Sequence, residues 1–171
     1  MSCSVAGAER APSDSNPYVL RALTTADAEA TAQVVRTAFA AQPRATTPPS
    51  SALRETAELV AAKIAAGGGF GAFAEGRLVG VALWQIDGET MVIGRVCALP
   101  AARGRGLSRR LIAACEAAAR EAGLNRTRLR VRLALPENER LFAALGYARA
   151  RVEAHAGFDA PTVAVMEKDL S

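Results

Sequence analysis

The sequence predicts one mixed α/β domain built on a single sheet, and three observations lead there. Segments with a helical period alternate with short β-rich segments along the chain. Two junctions between β-rich segments, Glu75-Gly76 and Asp87-Gly88, carry tight-turn signals. With 171 residues, 50% of them hydrophobic and 22% charged, the chain has the size and composition of one globular domain.

The elements follow in order. Residues 1–16 are rich in Ser, Ala and Pro without periodicity and read as a mobile tail. Tyr18 to Ala22 makes a short strand. Thr24 and Asp27 resemble a capping box, after which Ala28, Ala32, Val35 and Phe39 lie at helical spacing to about Ala41. Gln42 to Ser50 holds three prolines and is a loop. A second helix is expected from about Ser51, with Leu53, Ala57, Val60 and Ile64 on one face, stopped by Gly67, Gly68 and Gly69. Phe70–Ala74, Arg77–Ile86 and Glu89–Leu99 then form a meander of three strands. After Pro100 and the run Arg103–Ser108 comes an amphipathic helix with Leu111, Ile112, Cys115, Ala119 and Ala122 on its apolar side, ending at Gly123. Thr127–Leu133 alternates strictly, with Arg128, Arg130 and Arg132 on one face. Pro136 opens a short helix to about Leu145, and Tyr147–Ala156 and Thr162–Lys168 are the last strands.

Composition narrows the functional classes. No apolar run approaches the ~20 residues of a membrane span, and the N-terminus lacks the apolar region of a secretory signal. The three cysteines, Cys3, Cys97 and Cys115, cannot all pair, a usage suited to a reducing cytoplasm. The net charge is +4, and of 21 basic residues only Lys63 and Lys168 are lysines. An arginine excess favours planar or tetrahedral anions such as carboxylate and phosphate.

The chemistry-bearing stretch is an apolar strand, then Arg103-Gly104-Arg105-Gly106-Leu107-Ser108, then a helix. Unpaired N–H groups at a helix N-terminus, together with the helix dipole, make an anion site suited to a pyrophosphate. Position 109 holds Arg where a dinucleotide fingerprint needs Gly or Ala, and no GK[ST] of a P-loop occurs. The plain alternative is a basic surface turn that caps an ordinary helix.

This pattern resembles motif A, [R/Q]-x-x-G-x-[G/A], of the GNAT (GCN5-related) N-acetyltransferases. Leu141–Tyr147 (LFAALGY) looks like that family's late helix-to-strand segment, and the element order matches from about Tyr18 to Leu170. The resemblance implies a mostly antiparallel mixed sheet flanked by helices, with two central parallel strands splayed around acetyl-CoA, and makes residues 17–171 the N-acetyltransferase domain. It implies that the edge at Val96, Cys97 and Ala98 pairs with the pantetheine arm. Arg103, Gly104, Arg105, Gly106, Leu107, Ser108 and Arg109 would hold the pyrophosphate, the Ser108 hydroxyl capping the helix or binding phosphate. An N–H near Ala98 would face the thioester oxygen. Transfer would be direct, to a primary amine of a small molecule or peptide, with no metal, no nucleic acid and no membrane. Many family members are dimers, and a homodimer is compatible with the resemblance.

Three positions depart from the family pattern. Phe142 stands where many members carry a tyrosine that protonates the leaving thiolate. Asn138 lies closer to Phe142 than the family's asparagine does to that tyrosine. The strand from Met91 to Gly94 carries no carboxylate, and Glu89 is the nearest. His155, the only histidine, has the side chain suited to proton transfer near neutral pH and is the catalytic candidate; a loop-bracing histidine is the alternative. Cys97 without a base partner reads as a buried strand cysteine, and Tyr147 as a core aromatic. The pocket for the acceptor is expected from the first two helices, the Gln42–Ser50 loop and the loop between the last strands. Two other readings stand beside the enzyme: an acetyl-CoA-binding sensor without turnover, and a nucleic-acid-binding module using the arginine clusters.

Overall fold

The computed structural model describes residues 16–171, so the N-terminal tail through residue 15 and Cys3 lie outside the described residues. In chain order the elements are β1 (Tyr18–Ala22), α1 (Ala28–Ala40), α2 (Ala57–Ala66), β2 (Gly68–Ala74), β3 (Arg77–Asp87), β4 (Thr90–Ala98), α3 (Leu107–Glu121), β5 (Arg126–Arg132), α4 (Pro136–Ala144), β6 (Ala148–Glu153) and β7 (Val163–Asp169). They form one seven-stranded sheet in the order β1-β2-β3-β4-β5-β7-β6, antiparallel except where β4 meets β5. This is the mixed, mostly antiparallel sheet that the sequence predicts.

Each face of the sheet is covered because its strands alternate. In β3, Val81 and Leu83 point to the side where Val35 of α1 and Val60 and Ile64 of α2 pack. Ala82 points to the other side, where Leu111, Ile112 and Cys115 of α3 meet Met91, Ile93, Leu129 and Val131. Phe142 of α4 and Tyr147 join this second core, their rings edge to face with centroids 6.2 Å apart. The Tyr147 hydroxyl lies 2.9 Å from Thr127 Oγ1 and donates to Glu116 at 3.1 Å, and Lys168 donates to both Glu116 oxygens at 3.0 Å. The buried Glu116 carboxylate is thus paired and hydrogen-bonded, as a charge inside a core must be.

The second helix departs from expectation. Ser51–Arg54 is a separate 3₁₀ turn, and α2 begins only at Ala57, where Thr56 Oγ1 accepts from the Leu59 N–H. The break lets Glu55 turn inward, where Lys63 and Arg95 donate to it. Leu53, expected on the apolar face, is exposed. Gly67 caps α2, whereas Gly68 and Gly69 already belong to β2. A Cβ on Gly68 would stand 2.3 Å from the Trp84 ring, so close packing against β3 demands glycine there.

Two devices open the centre of the sheet. The parallel pairing of β4 with β5 covers only Thr90↔Arg126, Met91↔Thr127 and Val92↔Arg128. Just beyond it β4 bulges: its register with β3 shifts between Val81 and Leu83, and Arg95 takes φ 54°. The strands diverge from Ile93 onward, and β4 keeps β3 on one side with no strand partner on the other.

Candidate active site

Two adjoining cavities fill the divergence. The first, about 430 Å³, lies between the end of β4, the start of α3 and the start of α4. Val96, Cys97 and Ala98 line it, as do Arg103, Gly104, Gly106, Leu107, Ser108 and Arg109. Nine of the ten residues expected at the cofactor site therefore meet around one space; Arg105 is exposed and lines neither cavity.

The local backbone explains why this turn needs its glycines. Gly104 and Gly106 both have φ 73°, where a side chain strains the backbone, and a Cβ on either would meet nothing within 4 Å. Gly106 is the N-cap of α3, and the first helical bond runs from Arg110 N to Gly106 O at 3.1 Å. The N–H groups of Leu107, Ser108 and Arg109 have no partner within the helix and carry the positive end of its dipole. Ser108 sits inside the first turn and does not cap the helix, contrary to one of its expected roles.

The arginines around this turn divide by partner. Arg103 donates to the carbonyls of Ala98 at 3.2 Å, Ala41 at 3.2 Å and Ala38 at 2.8 Å, which fastens the turn to the C-terminal end of α1. Arg110 donates to Tyr18 O. Arg109 is exposed and lines the first cavity. Across the mouth, Arg44 donates to Glu137 at 2.6 Å and to Ala134 O at 3.1 Å, tying the loop after α1 to the start of α4. Burial pushes the Cys97 thiol up to about 12, so it carries no thiolate at neutral pH.

The second cavity, about 360 Å³, opens between the diverging halves of β4 and β5. Val92–Val96, Leu129–Arg132, Phe142 and His155 line it. Phe39, Gln42, Val96, Leu135 and Asn138 line both cavities, so the two spaces meet at those residues. His155 Nδ1 lies 2.5 Å from Thr162 Oγ1, and its backbone N–H donates to the same oxygen at 3.0 Å. Burial, with Arg132 and Arg130 nearby, holds the imidazole below its ordinary pKa, which favours the neutral ring. His155 is thus both braced by the loop and presented to the cavity.

Glu89 is exposed in the β3–β4 turn and lines neither cavity. Neither Tyr18 nor Tyr147 reaches the cavities, and Phe142 lines the second one without a hydroxyl. Within the arginine row, Arg128 pairs with Glu167 at 2.7 Å and Arg130 with Glu153 at 2.6 Å, so only part of it is a solvated face. The sequence reading names Phe39 only as a helix-face residue of the first helix, does not single out Leu135, and leaves Arg132 in a row read as a solvated face or as an attractor of an acidic acceptor or the CoA phosphates. Their positions at the end of α1, ahead of α4 and at the end of β5 become informative only once the strands are known to diverge. Among the described residues no group of three or more His, Cys, Asp or Glu side chains is placed to hold a metal ion, and no helix is long and apolar enough to cross a membrane.

A sheet that parts between its two parallel strands, with a glycine turn at a helix N-terminus beneath the gap, is the arrangement that the resemblance to the GNAT class implies. The sequence profile of the acetyltransferase (GNAT) family matches residues 33–147, and the chain belongs to that family. Among solved structures, the PaiA N-acetyltransferase of Thermoplasma acidophilum in complex with coenzyme A is similar at 21% identity and TM-score 0.72, over 89% of this chain and 98% of that one. The ribosomal-protein alanine N-acetyltransferase of Escherichia coli is similar at 18% identity and TM-score 0.72, over 90% and 94%. The protein YncA of Salmonella typhimurium, solved with acetyl-CoA, is similar at 19% identity and TM-score 0.69, over 91% and 95%. These likenesses concern the fold. A sequence search of curated proteins found no match.

Proposed function

We propose that the protein transfers an acetyl group from acetyl-CoA to the nitrogen of a primary amine. The observation that carries this reading is the continuity of the two cavities. Unpaired helix amides and a free strand edge line one, the only histidine faces the other, and five residues line both. The residues fit the cosubstrate: the turn offers donors and positive potential to a pyrophosphate, and the open edge of β4 offers backbone pairing to an amide-bearing arm.

Acetyl-CoA supplies the activated thioester carbon. The amides of Leu107, Ser108 and Arg109 bind the diphosphate, and the Arg109 guanidinium adds charge. Val96–Ala98 orients the arm as an added strand would, and a backbone N–H near Ala98 steadies negative charge developing on the acyl oxygen. His155, kept neutral, takes a proton from the incoming ammonium group. The overall exchange forms the C–N bond, breaks the C–S bond, and releases CoA as the thiol with one proton to solvent. Holding both reactants in adjoining spaces supplies much of the rate gain.

Phe142 supports a second reading, a GNAT fold that binds acetyl-CoA without turnover, because neither cavity contains a phenol to protonate the leaving sulfur. Thermal unfolding with acetyl-CoA, followed by CoA-thiol release over a panel of amines, tests both. Ligand at about 100 times Kd adds about 2.7 kcal/mol, which raises the midpoint by roughly 5–10 °C. No rise at saturating ligand overturns both readings. A rise without thiol release from any amine leaves the binder.

A further inference from the structure

The second cavity has a one-signed charge pattern. Arg95, Arg130, Arg132 and His155 line it, and no Asp or Glu does. Two of these arginines are satisfied: Arg95 donates to Glu55 at 2.8 Å and to Ser51 Oγ at 2.9 Å, and Arg130 pairs with Glu153 at 2.6 Å. Arg132 differs. Its Nη1 is shut off from solvent and has no hydrogen-bond partner among the described residues, and it joins no ion pair among them. A guanidinium nitrogen out of water and without an acceptor is costly to the folded protein. It ends β5, where the strand has left β4, and its half-buried side chain lines the space between the two strands.

We infer that the second cavity takes a small primary amine that also carries a carboxylate, and that Arg132 receives that carboxylate. The inference rests on the acetyl-transfer reading for the amine half of the ligand and on the unpaired guanidinium for the acid half. A planar carboxylate matches the two-pronged face of a single guanidinium. A molecule with both groups places its ammonium toward His155 and its carboxylate toward Arg132, which line the same space. Burial and the neighbouring Arg130 already press on the Arg132 cation, so an anion there relieves both. The same cationic lining works against polyamines and aminoglycosides, whose several ammonium groups would face like charge with no carboxylate to receive them.

The test uses paired ligands: each common amino acid, its carboxamide and its decarboxylated amine, with spermidine as the polycation. Binding is read by thermal shift with and without acetyl-CoA, and turnover by CoA-thiol release. The expected result is a set of acids preferred over their carboxamides by about tenfold or more in kcat/KM or apparent affinity, because a site built for a polar group rejects the analogue lacking it. In Arg132→Gln that ratio falls to near one, and Arg132→Lys retains part of it. Arg132→Gln folds with a midpoint at or above that of the parent, since it removes a half-buried cation with an unpartnered nitrogen. Carboxamides or spermidine matching the acids, or an acid preference unchanged in Arg132→Gln, overturns the inference. Acids that bind through Arg132 without any thiol release overturn acetyl transfer and leave the carboxylate site standing.

Discussion

The guanidinium of Arg103 donates to the Ala38 carbonyl at 2.8 Å, joining the turn ahead of α3 to the last turn of α1 across the sheet edge. Its other contacts, to Ala41 and Ala98, make one side chain the clasp of three elements. Arg103 therefore shapes the first cavity: its donors are committed to backbone carbonyls, while its charge stays unneutralised beside Cys97. Arg103→Ala is expected to cost about 1–2 kcal/mol, since charge-assisted bonds at an exposed residue are partly replaced by water. The unfolding midpoint should fall by roughly 3–6 °C, and the stabilisation by acetyl-CoA should shrink with it. Arg103→Lys should recover only part of both, because it lacks the fork.

Gly106 caps α3 at φ 73° with open space where a Cβ would be. In Gly106→Val the Cβ therefore meets no atom of the protein, and backbone strain costs at least about 1–2 kcal/mol. Its side chain would, however, stand over the free amides. Acetyl-CoA should raise the midpoint of this variant by much less than that of the parent. Gly106→Asn, which tolerates the left-handed region, should be the more stable of the two.

Tyr147→Phe separates core from catalysis. The hydroxyl is hydrogen-bonded to Thr127 and Glu116, and burial drives its pKa well above the ordinary phenol value. The variant should lose about 1–3 kcal/mol of stability by leaving Thr127 and Glu116 short of a partner. Thiol release per folded molecule should stay at the parent level, because the ring lines neither cavity. A large loss of kcat would contradict its placement as a structural residue.

His155 sets the acid limb. Its pKa is depressed by burial, by Arg132 and by Arg130. The neutral base persists below the ordinary imidazole value of about 6.5, so kcat/KM should stay flat down to that pH and fall only below it. In Arg132→Gln one of the repelling charges is gone, and the limb should move to higher pH. His155→Ala should lower kcat by about 10²-fold or more. For stability the sign is the same: as pH drops through 6.5 the unfolded chain takes a proton that the folded one refuses, so the protein loses stability in that window.

Much of this architecture is legible in the residues. The turns at Glu75-Gly76 and Asp87-Gly88 and the period of α3 delimit the meander and the helix after it, because their signals are local. The glycine turn at 104–106 is legible for the same reason. The split of the second helix is not, since it depends on Glu55 turning in to meet Lys63 and Arg95 from elsewhere in the chain. The arginine row at 128, 130 and 132 alternates as a solvated face would. What separates its members is which strands pack alongside: β7 brings Glu167 to Arg128, β6 brings Glu153 to Arg130, and nothing comparable reaches Arg132.

The meeting of β4 and β5 at three residue pairs makes the sheet two half-sheets hinged on a short seam. Opening at that hinge breaks few backbone bonds, so it is the softest motion available to the sheet. A ligand lying along β4 from Val96 to Ala98, as proposed for the cosubstrate, would add rungs along the edge that β5 leaves open and stiffen the seam. Amide exchange should therefore slow on binding along Ile93–Ala98 and Leu129–Arg132 together, on both leaves of the hinge, although only one leaf carries the glycine turn.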